Sequence, residues 1–335
     1  MRRTTLGLLL LSTLAACGGT AYDPGENQPA VDAAPGSGSD GALPPPARGF
    51  QVKSTDIVIQ PGEEVTYCYY FRTPNTEAMA INKWTSAMTP GSHHMIMFTT
   101  PSDKMPPGTV SKSNCGFGGA GDLQSPPVWT YAAQTADATV ALPTDDGAGK
   151  PLAQVIAPNS PAFFQMHYLN PGDTPLTVHV TLNAEALPAA SPYTATSAYV
   201  TYNNTISIPP NTNNVVATKT CATPANMKFW SMSTHAHKQA IKTEVRSGDA
   251  ASTDTVFSST DWEHPGAITW MGSPFQTFAD NQLTWSCTFN NHTSRTITSG
   301  DSAATDEMCM ATGYMFPATR PTICLCYSAS NCINI

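Results

Sequence analysis

Residues 176–182 read Leu-Thr-Val-His-Val-Thr-Leu. Large aliphatic side chains fall on every second position. Successive side chains on a strand point to opposite faces, so Leu176, Val178, Val180 and Leu182 share one face. That face is predicted to be the core face, and His179, on the other, to be a surface histidine. The same pattern recurs upstream. Asp56-Ile57-Val58-Ile59 and Glu64-Val65-Thr66-Tyr67-Cys68-Tyr69-Tyr70-Phe71 flank a Gln-Pro-Gly turn at 60–62. Turn residues recur at short intervals, and no long stretch repeats with a helical period. The fold class expected is all-β, built from antiparallel sandwiches.

Composition narrows the function. Only 12% of the 335 residues are charged and the net charge is −8, with no basic run in the mature chain. Nucleic acid as a partner is therefore excluded, since it requires clustered Lys and Arg. The length suits two domains behind an unfolded leader. The break at Ala-Leu-Pro-Ala-Ala-Ser-Pro-Tyr, 186–193, is the boundary candidate, giving halves of 49–190 and 191–335.

The N-terminus reads as a targeting segment. Arg2 and Arg3 precede an apolar run, Leu6 to Leu14, that is too short to span a bilayer. It ends in Leu14-Ala15-Ala16-Cys17, the pattern of a bacterial lipoprotein signal (1–16) with Cys17 as the lipidated residue. The expected location is exported and lipid-anchored, at the periplasmic face or the cell surface, with membrane contact through the lipid alone. Residues 17–48 are rich in Pro, Gly, Ser and Asp and read as a disordered tether. As a flexible coil it would reach roughly 30 Å.

Setting Cys17 aside leaves eight of the nine cysteines, an even number in an exported chain. Disulfides are the expectation there. Spacing alone fixes no pairing, and Cys324, Cys326 and Cys332 would serve as thiolate ligands in the competing metal reading.

Two groups of residues carry the chemistry. His235-Ala236-His237 puts two imidazoles on one face of a strand, where both can close on one ion. Met308, in Asp306-Glu307-Met308-Cys309, would add a thioether, which favours copper and above all Cu(I). His93, His94 and His167 would form an all-imidazole site. An adjacent His-His pair points to opposite faces of a regular strand, so a twist, bulge or strand end is required there, and Pro90-Gly91-Ser92 supplies an irregularity. His264 and His292 read as loop or surface residues.

Taken together, the chain resembles the copper type II, ascorbate-dependent monooxygenases, the peptidylglycine α-hydroxylating and dopamine β-monooxygenase family. The resemblance runs over about residues 50–335. It rests on His93-His94-Met95, Gln165-Met166-His167-Tyr168, Thr234-His235-Ala236-His237 and Asp306-Glu307-Met308-Cys309, in that order. It implies two consecutive jelly-roll-like sandwiches with two coppers per chain. The copper at His93, His94 and His167 would transfer electrons from ascorbate or an equivalent reductant, with Gln165 in a possible electron-transfer role. The copper at His235, His237 and Met308 would bind O2 beside a small-molecule substrate. The resemblance also implies the bridges Cys287–Cys309 and Cys68–Cys115, with Cys221 joined to Cys324 or Cys326 and the remaining one to Cys332. A monomer is expected.

The chain departs from the peptide-amidating branch where that branch grips a peptide carboxylate. Ser233 stands where an arginine is expected, and Met310 and Thr312 replace an Asn and a Tyr. The expected substrate is therefore small and non-peptide. The competing readings are a non-catalytic copper-binding or copper-delivery protein, and an adhesion or carbohydrate-binding sandwich. The last leaves the histidines unexplained.

Overall fold

The structure, a computed structural model, describes residues 40–113, 115, 126–300, 302, 305–328 and 331–335. The signal segment, Cys17 and the tether up to residue 39 lie outside the described residues.

The first half contributes β1 (Gly49–Lys53), β2 (Ile57–Ile59), β3 (Glu64–Arg72), β4 (Met79–Met88) and β5 (Ser92–Thr99). It continues with β6 (Val110–Ser111), β7 (Val128–Ala133), β8 (Asp137–Ala141), β9 (Leu152–Ile156) and β10 (Pro161–Leu169). β11 (Leu176–Val178), β12 (Val180–Ala186) and β13 (Thr194–Ala195) complete it. The second half opens with β14 (Ser197–Asn203), β15 (Ser207–Ile208), β16 (Thr212–Ala222), β17 (Lys228–Ala236), β18 (Ala240–Ser247) and β19 (Thr255–Ser259). It closes with β20 (Ile268–Thr269), β21 (Gln282–Asn291), β22 (Ile297–Thr298), β23 (Cys309–Phe316), β24 (Thr322–Cys326) and β25 (Cys332–Asn334). Among the described residues there is no α-helix, so the all-β expectation holds.

Each half is a sandwich. In the first, one sheet runs β1-β12-β4-β9-β13 and the other β6-β3-β10-β5-β7. Their inner faces meet in one core, with Val52, Trp84, Met88, Val180 and Leu182 from one sheet and Phe71, Met95, Met97, Phe164 and Met166 from the other. The alternation at 176–182 works as predicted on its core side, because Val178, Val180 and Leu182 are all buried. In the second half the sheets are β20-β17-β23-β14-β24-β25 and β16-β21-β18-β19. Tyr199, Phe229, Met232 and Met315 from the first meet Val245, Leu283, Trp285 and Phe289 from the second. β13 still pairs with β9 while β14 pairs with β23 and β24, so sheet membership changes over at Thr196.

The halves pack on each other within one compact unit. Trp230, Phe275 and Phe316 of the second half join the core cluster of the first, and the Tyr314 hydroxyl donates to the Thr130 carbonyl at 3.1 Å.

Two sequence expectations change. His179 is not an open surface residue: its side chain is 15% exposed and Nδ1 lies 3.0 Å from Asp56 Oδ1. Residues 41–48, expected to belong to the tether, are held against the sandwich. Thr181 donates to the Gly41 carbonyl, Gln51 to Leu43 (2.8 Å), Asn183 to Pro44 (2.8 Å) and Arg48 to Leu187 (2.6 Å). Gly41 has φ +71°, and a Cβ there would lie 2.7 Å from His179 Nε2, so glycine is what lets the chain cross the histidine. Polar residues on the outward face of β12 thus find backbone partners in the incoming chain, which hydropathy does not signal.

Candidate functional site

His94 and His167 are direct register partners in the β5–β10 ladder. Opposed residues on antiparallel strands share a face, and the two rings lie 5.1 Å apart between centroids. The register slips between His167, opposite His94, and Tyr168, opposite Ser92. His93 is therefore the bulged residue, which is the irregularity an adjacent ligand pair requires. The His93 side chain itself lies outside the description. His167 Nε2 is 3.1 Å from Glu64 Oε1. A carboxylate only accepts, so in that pairing Nε2 carries the proton and Nδ1 keeps its lone pair.

Gln165 points to the same face as His167, two residues along β10. Its amide donates to the Cys115 carbonyl, and its register partner on β3 is Cys68. Cys68 and Cys115 are bonded, so the expected bridge stands directly beside Gln165.

The second group is assembled by β17 and β23. His235 and His237 have ring centroids 5.4 Å apart. Ala236, between them, is the register partner of Cys309, so Met308 immediately precedes the β23 residue that pairs between the two histidines. Met308 is 6% exposed and packs with Ala198, Val200, Met310 and Ile323. The Asp306 carbonyl lies 3.0 Å from His237 Nδ1. A carbonyl can only accept, so Nδ1 carries the hydrogen and Nε2 is left free to ligate. Burial and the neighbouring His237 hold His235 down to a pKa of about 3. His237 is also lowered by burial, against the pull of the Asp306 carbonyl. Both rings therefore stay neutral at physiological pH, the form that binds a metal.

Cys287 and Cys309 are bonded at 2.05 Å, tying β21 across the sandwich to the residue after Met308. The pairing left open by the sequence is Cys221–Cys324 and Cys326–Cys332. With all four bonded, the thiolate-ligand reading of this group has no free sulfur to use.

Two residues near the second group went unassigned in the sequence. Glu307 is fully buried. Its Oε2 accepts from the backbone N–H of His237 (2.9 Å) and of Met308 (3.2 Å), and Oε1 from that of Gln239 (2.7 Å). Burial raises its pKa to about 7, while these three donors pull the other way. The signal was present, since a glutamate at the start of a buried strand needs partners. Trp129 of β7 was the other. Its ring meets His235 edge-on at 6.2 Å and Phe98 at 5.6 Å. It packs against both the apolar group around Ile96 and Phe163 and the group around Met308. Only the docking of the two halves brings it there, so no local pattern could have marked it.

His264, beside Asp261, and His292 on the surface take no part in either group. Met315 belongs to the core between the sheets and not to the Met308 face.

Residues 195–334 match the family described as copper type II ascorbate-dependent monooxygenase, C-terminal domain. The matched span holds His235, His237, Glu307 and Met308. No curated protein matches. Among solved structures, the chain is similar to the PBSX exported protein XepA at 11% identity, covering 81% of this chain and 89% of that one, with a TM-score of 0.18. It is also similar to a chain of Sulfolobus Turreted Icosahedral Virus at 11% identity, covering 78% and 59%, with a TM-score of 0.19. At such TM-scores neither carries an argument. The similarity to this copper-dependent monooxygenase family thus covers residues 195–334 of the chain.

Proposed function

We propose that this protein is a copper-dependent monooxygenase that hydroxylates a C–H bond of a small, non-peptide substrate. The reaction consumes R–H, O2, two electrons and two protons and yields R–OH and water. A one-electron reductant such as ascorbate would supply the electrons in two steps. The observation that carries the reading is the His235–His237 pair, with Met308 one residue before Cys309, the partner of Ala236, inside the span that matches the family.

The donor sets fit the metal. Two neutral imidazoles and a thioether favour Cu(I), and His93, His94 and His167 offer imidazoles alone, which serve both oxidation states. Copper held at these residues would supply one-electron chemistry with dioxygen. The protein's part is to hold two histidines neutral, to fix the His237 tautomer through Asp306, and to present Met308 on a disulfide-braced strand. Ser233, Met310 and Thr312 offer no cation for a substrate carboxylate, and Trp129 offers an aromatic wall beside His235. From the Leu14-Ala15-Ala16-Cys17 segment we propose further that the chain is exported and lipid-anchored, and that it acts as a monomer.

Titration of the purified chain with copper, followed by turnover with ascorbate under 18O2, tests this. Two coppers per chain and one labelled oxygen in the product are expected. One copper, preferential tight zinc binding, or reductant oxidation with no oxygenated product from a broad panel of neutral compounds would refute it.

A further inference from the structure

The two segments that bear the second group's ligand-type residues are far apart in sequence but share one acceptor. The β17–β18 turn carries His237 and Gln239, and the arm before β23 carries Asp306 and Met308. Their backbone N–H groups converge on one carboxylate, with His237 and Met308 on Oε2 and Gln239 on Oε1 of Glu307. The backbone that bears the carboxylate is itself pinned at both of its polar groups. The Glu307 N–H donates to Thr298 at 2.9 Å, and its carbonyl accepts from Gly300 at 3.2 Å. Around it the turn closes by a bond from the Ala240 N–H to the His237 carbonyl at 3.0 Å.

We infer that Glu307 is a positioning residue that latches the His237 turn to the Met308 arm, so that imidazole and thioether are held as one preformed unit. This deepens the copper reading and rests on it. Two features distinguish the latch from ordinary core satisfaction. It joins two ligand-bearing segments, not a ligand to the scaffold. It also uses an ionisable side chain where the family of neutral acceptors, Asn or Gln, cannot serve, because three donors face a side chain that must offer acceptors only. Burying a carboxylate is costly, and three converging N–H groups offset part of that cost.

Gln at this position would turn one acceptor into an NH2 that faces an N–H. Glu307→Gln should therefore loosen the Met308 arm from the turn. The experiment uses the full chain loaded with Cu(I), with X-ray absorption for the Cu–S contribution and a competing chelator for affinity. Expected are a Cu–S amplitude reduced by half or more and a Cu(I) affinity at this site at least tenfold weaker. One copper should stay at the three-histidine group, and all four disulfides should remain. Glu307→Asp keeps two acceptor oxygens one methylene short of their donors, and an affinity between those of wild type and Glu307→Gln is expected.

A folded Glu307→Gln with wild-type Cu–S amplitude and affinity would overturn the inference and leave the copper reading standing. A wild-type chain with no Cu–S contribution would overturn the copper reading itself. Should Glu307→Gln fail to fold, amide exchange on the wild-type chain decides. The N–H groups of His237, Gln239 and Met308 should be protected to within about threefold of one another. A Met308 N–H that exchanges more than tenfold faster than the other two would show that no shared latch exists.

Discussion

His235 on β17 stands directly opposite Met310 on β23, and Met310 packs in the same apolar group as Met308. One face of one sheet thus sets an imidazole opposite a thioether. The opposite face, through Met232, Ala311 and Met315, fills the core. The strand that builds the core and the strand that presents the soft ligand are therefore the same, and a mutation there has two effects that must be separated.

Met308 separates them. Met308→Ala removes both a thioether and buried volume, and a core truncation of this size costs about 2–5 kcal/mol. Met308→Leu keeps the volume and should cost under about 1.5 kcal/mol. Both should lose the Cu–S contribution in X-ray absorption, with one copper remaining. A Leu variant that keeps the sulfur signal would show Met308 to be core alone.

The Cys287–Cys309 bridge should couple stability to the same site. The bonded residues are 22 apart in sequence, and Cys309 adjoins Met308. Replacing both by Ala should lower unfolding stability by about 2–4 kcal/mol in urea titrations. Copper content should fall at the His235 group before it falls at the His94 group. Equal loss at both would mean that the bridge acts only on the whole fold.

Much of this was legible in the sequence, for identifiable reasons. Strand alternation is local, so 176–182 announced its core face. Ligand-type residues are rare enough that their order is informative. The bulge at His93 was legible because a His-His pair cannot share a regular strand face. What could not be read depends on distant partners. His179 loses its exposure to Gly41, the Cys221 pairing is decided by how β24 and β25 lie, and Trp129 meets His235 only through docking of the halves. Glu307 falls between these cases: its residue type signalled a need for partners, but not that they would be two ligand-bearing segments.

Asp146 offers a pH test of how β13 is held at the end of the first half. Its Oδ2 accepts from Thr194 Oγ1 at 2.5 Å, and Oδ1 accepts from the N–H of Ala148 (2.7 Å) and Lys150 (3.2 Å). The Thr194 hydroxyl is the main cause that holds its pKa below the usual carboxylate value. A depressed carboxylate contributes stability that is present above its unfolded pKa and is lost as pH falls through the folded one. Asp146→Asn should lower stability near neutrality by about 1 kcal/mol. The gap between variant and wild type should shrink as melts are taken from about pH 5 toward about pH 2.5. A gap independent of pH would show that the charge contributes nothing.

The last prediction concerns the substrate. A peptide carboxylate entering a partly desolvated cleft requires a charge partner, best a bidentate arginine. Along the His235 face that position is Ser233, whose hydroxyl is already engaged with the Gly266 carbonyl. Its register partner is Thr312, and Met310 is wholly buried, so none of the three can supply a cation. Losing a buried charged anchor typically costs about 2–5 kcal/mol, which removes useful affinity. Trp129 instead presents an aromatic edge to His235. Glycine-extended peptides should therefore be poor substrates beside neutral aromatic or aliphatic compounds with an activated C–H, compared by kcat/KM with copper-loaded protein and ascorbate. Trp129→Ala should raise KM for the neutral aromatic compound more than it lowers kcat, with copper content unchanged. Efficient hydroxylation of the peptide glycine, with an affinity that depends on its free carboxylate, would mean that a cation elsewhere in the chain does the arginine's work and that the Ser233 position does not define the substrate.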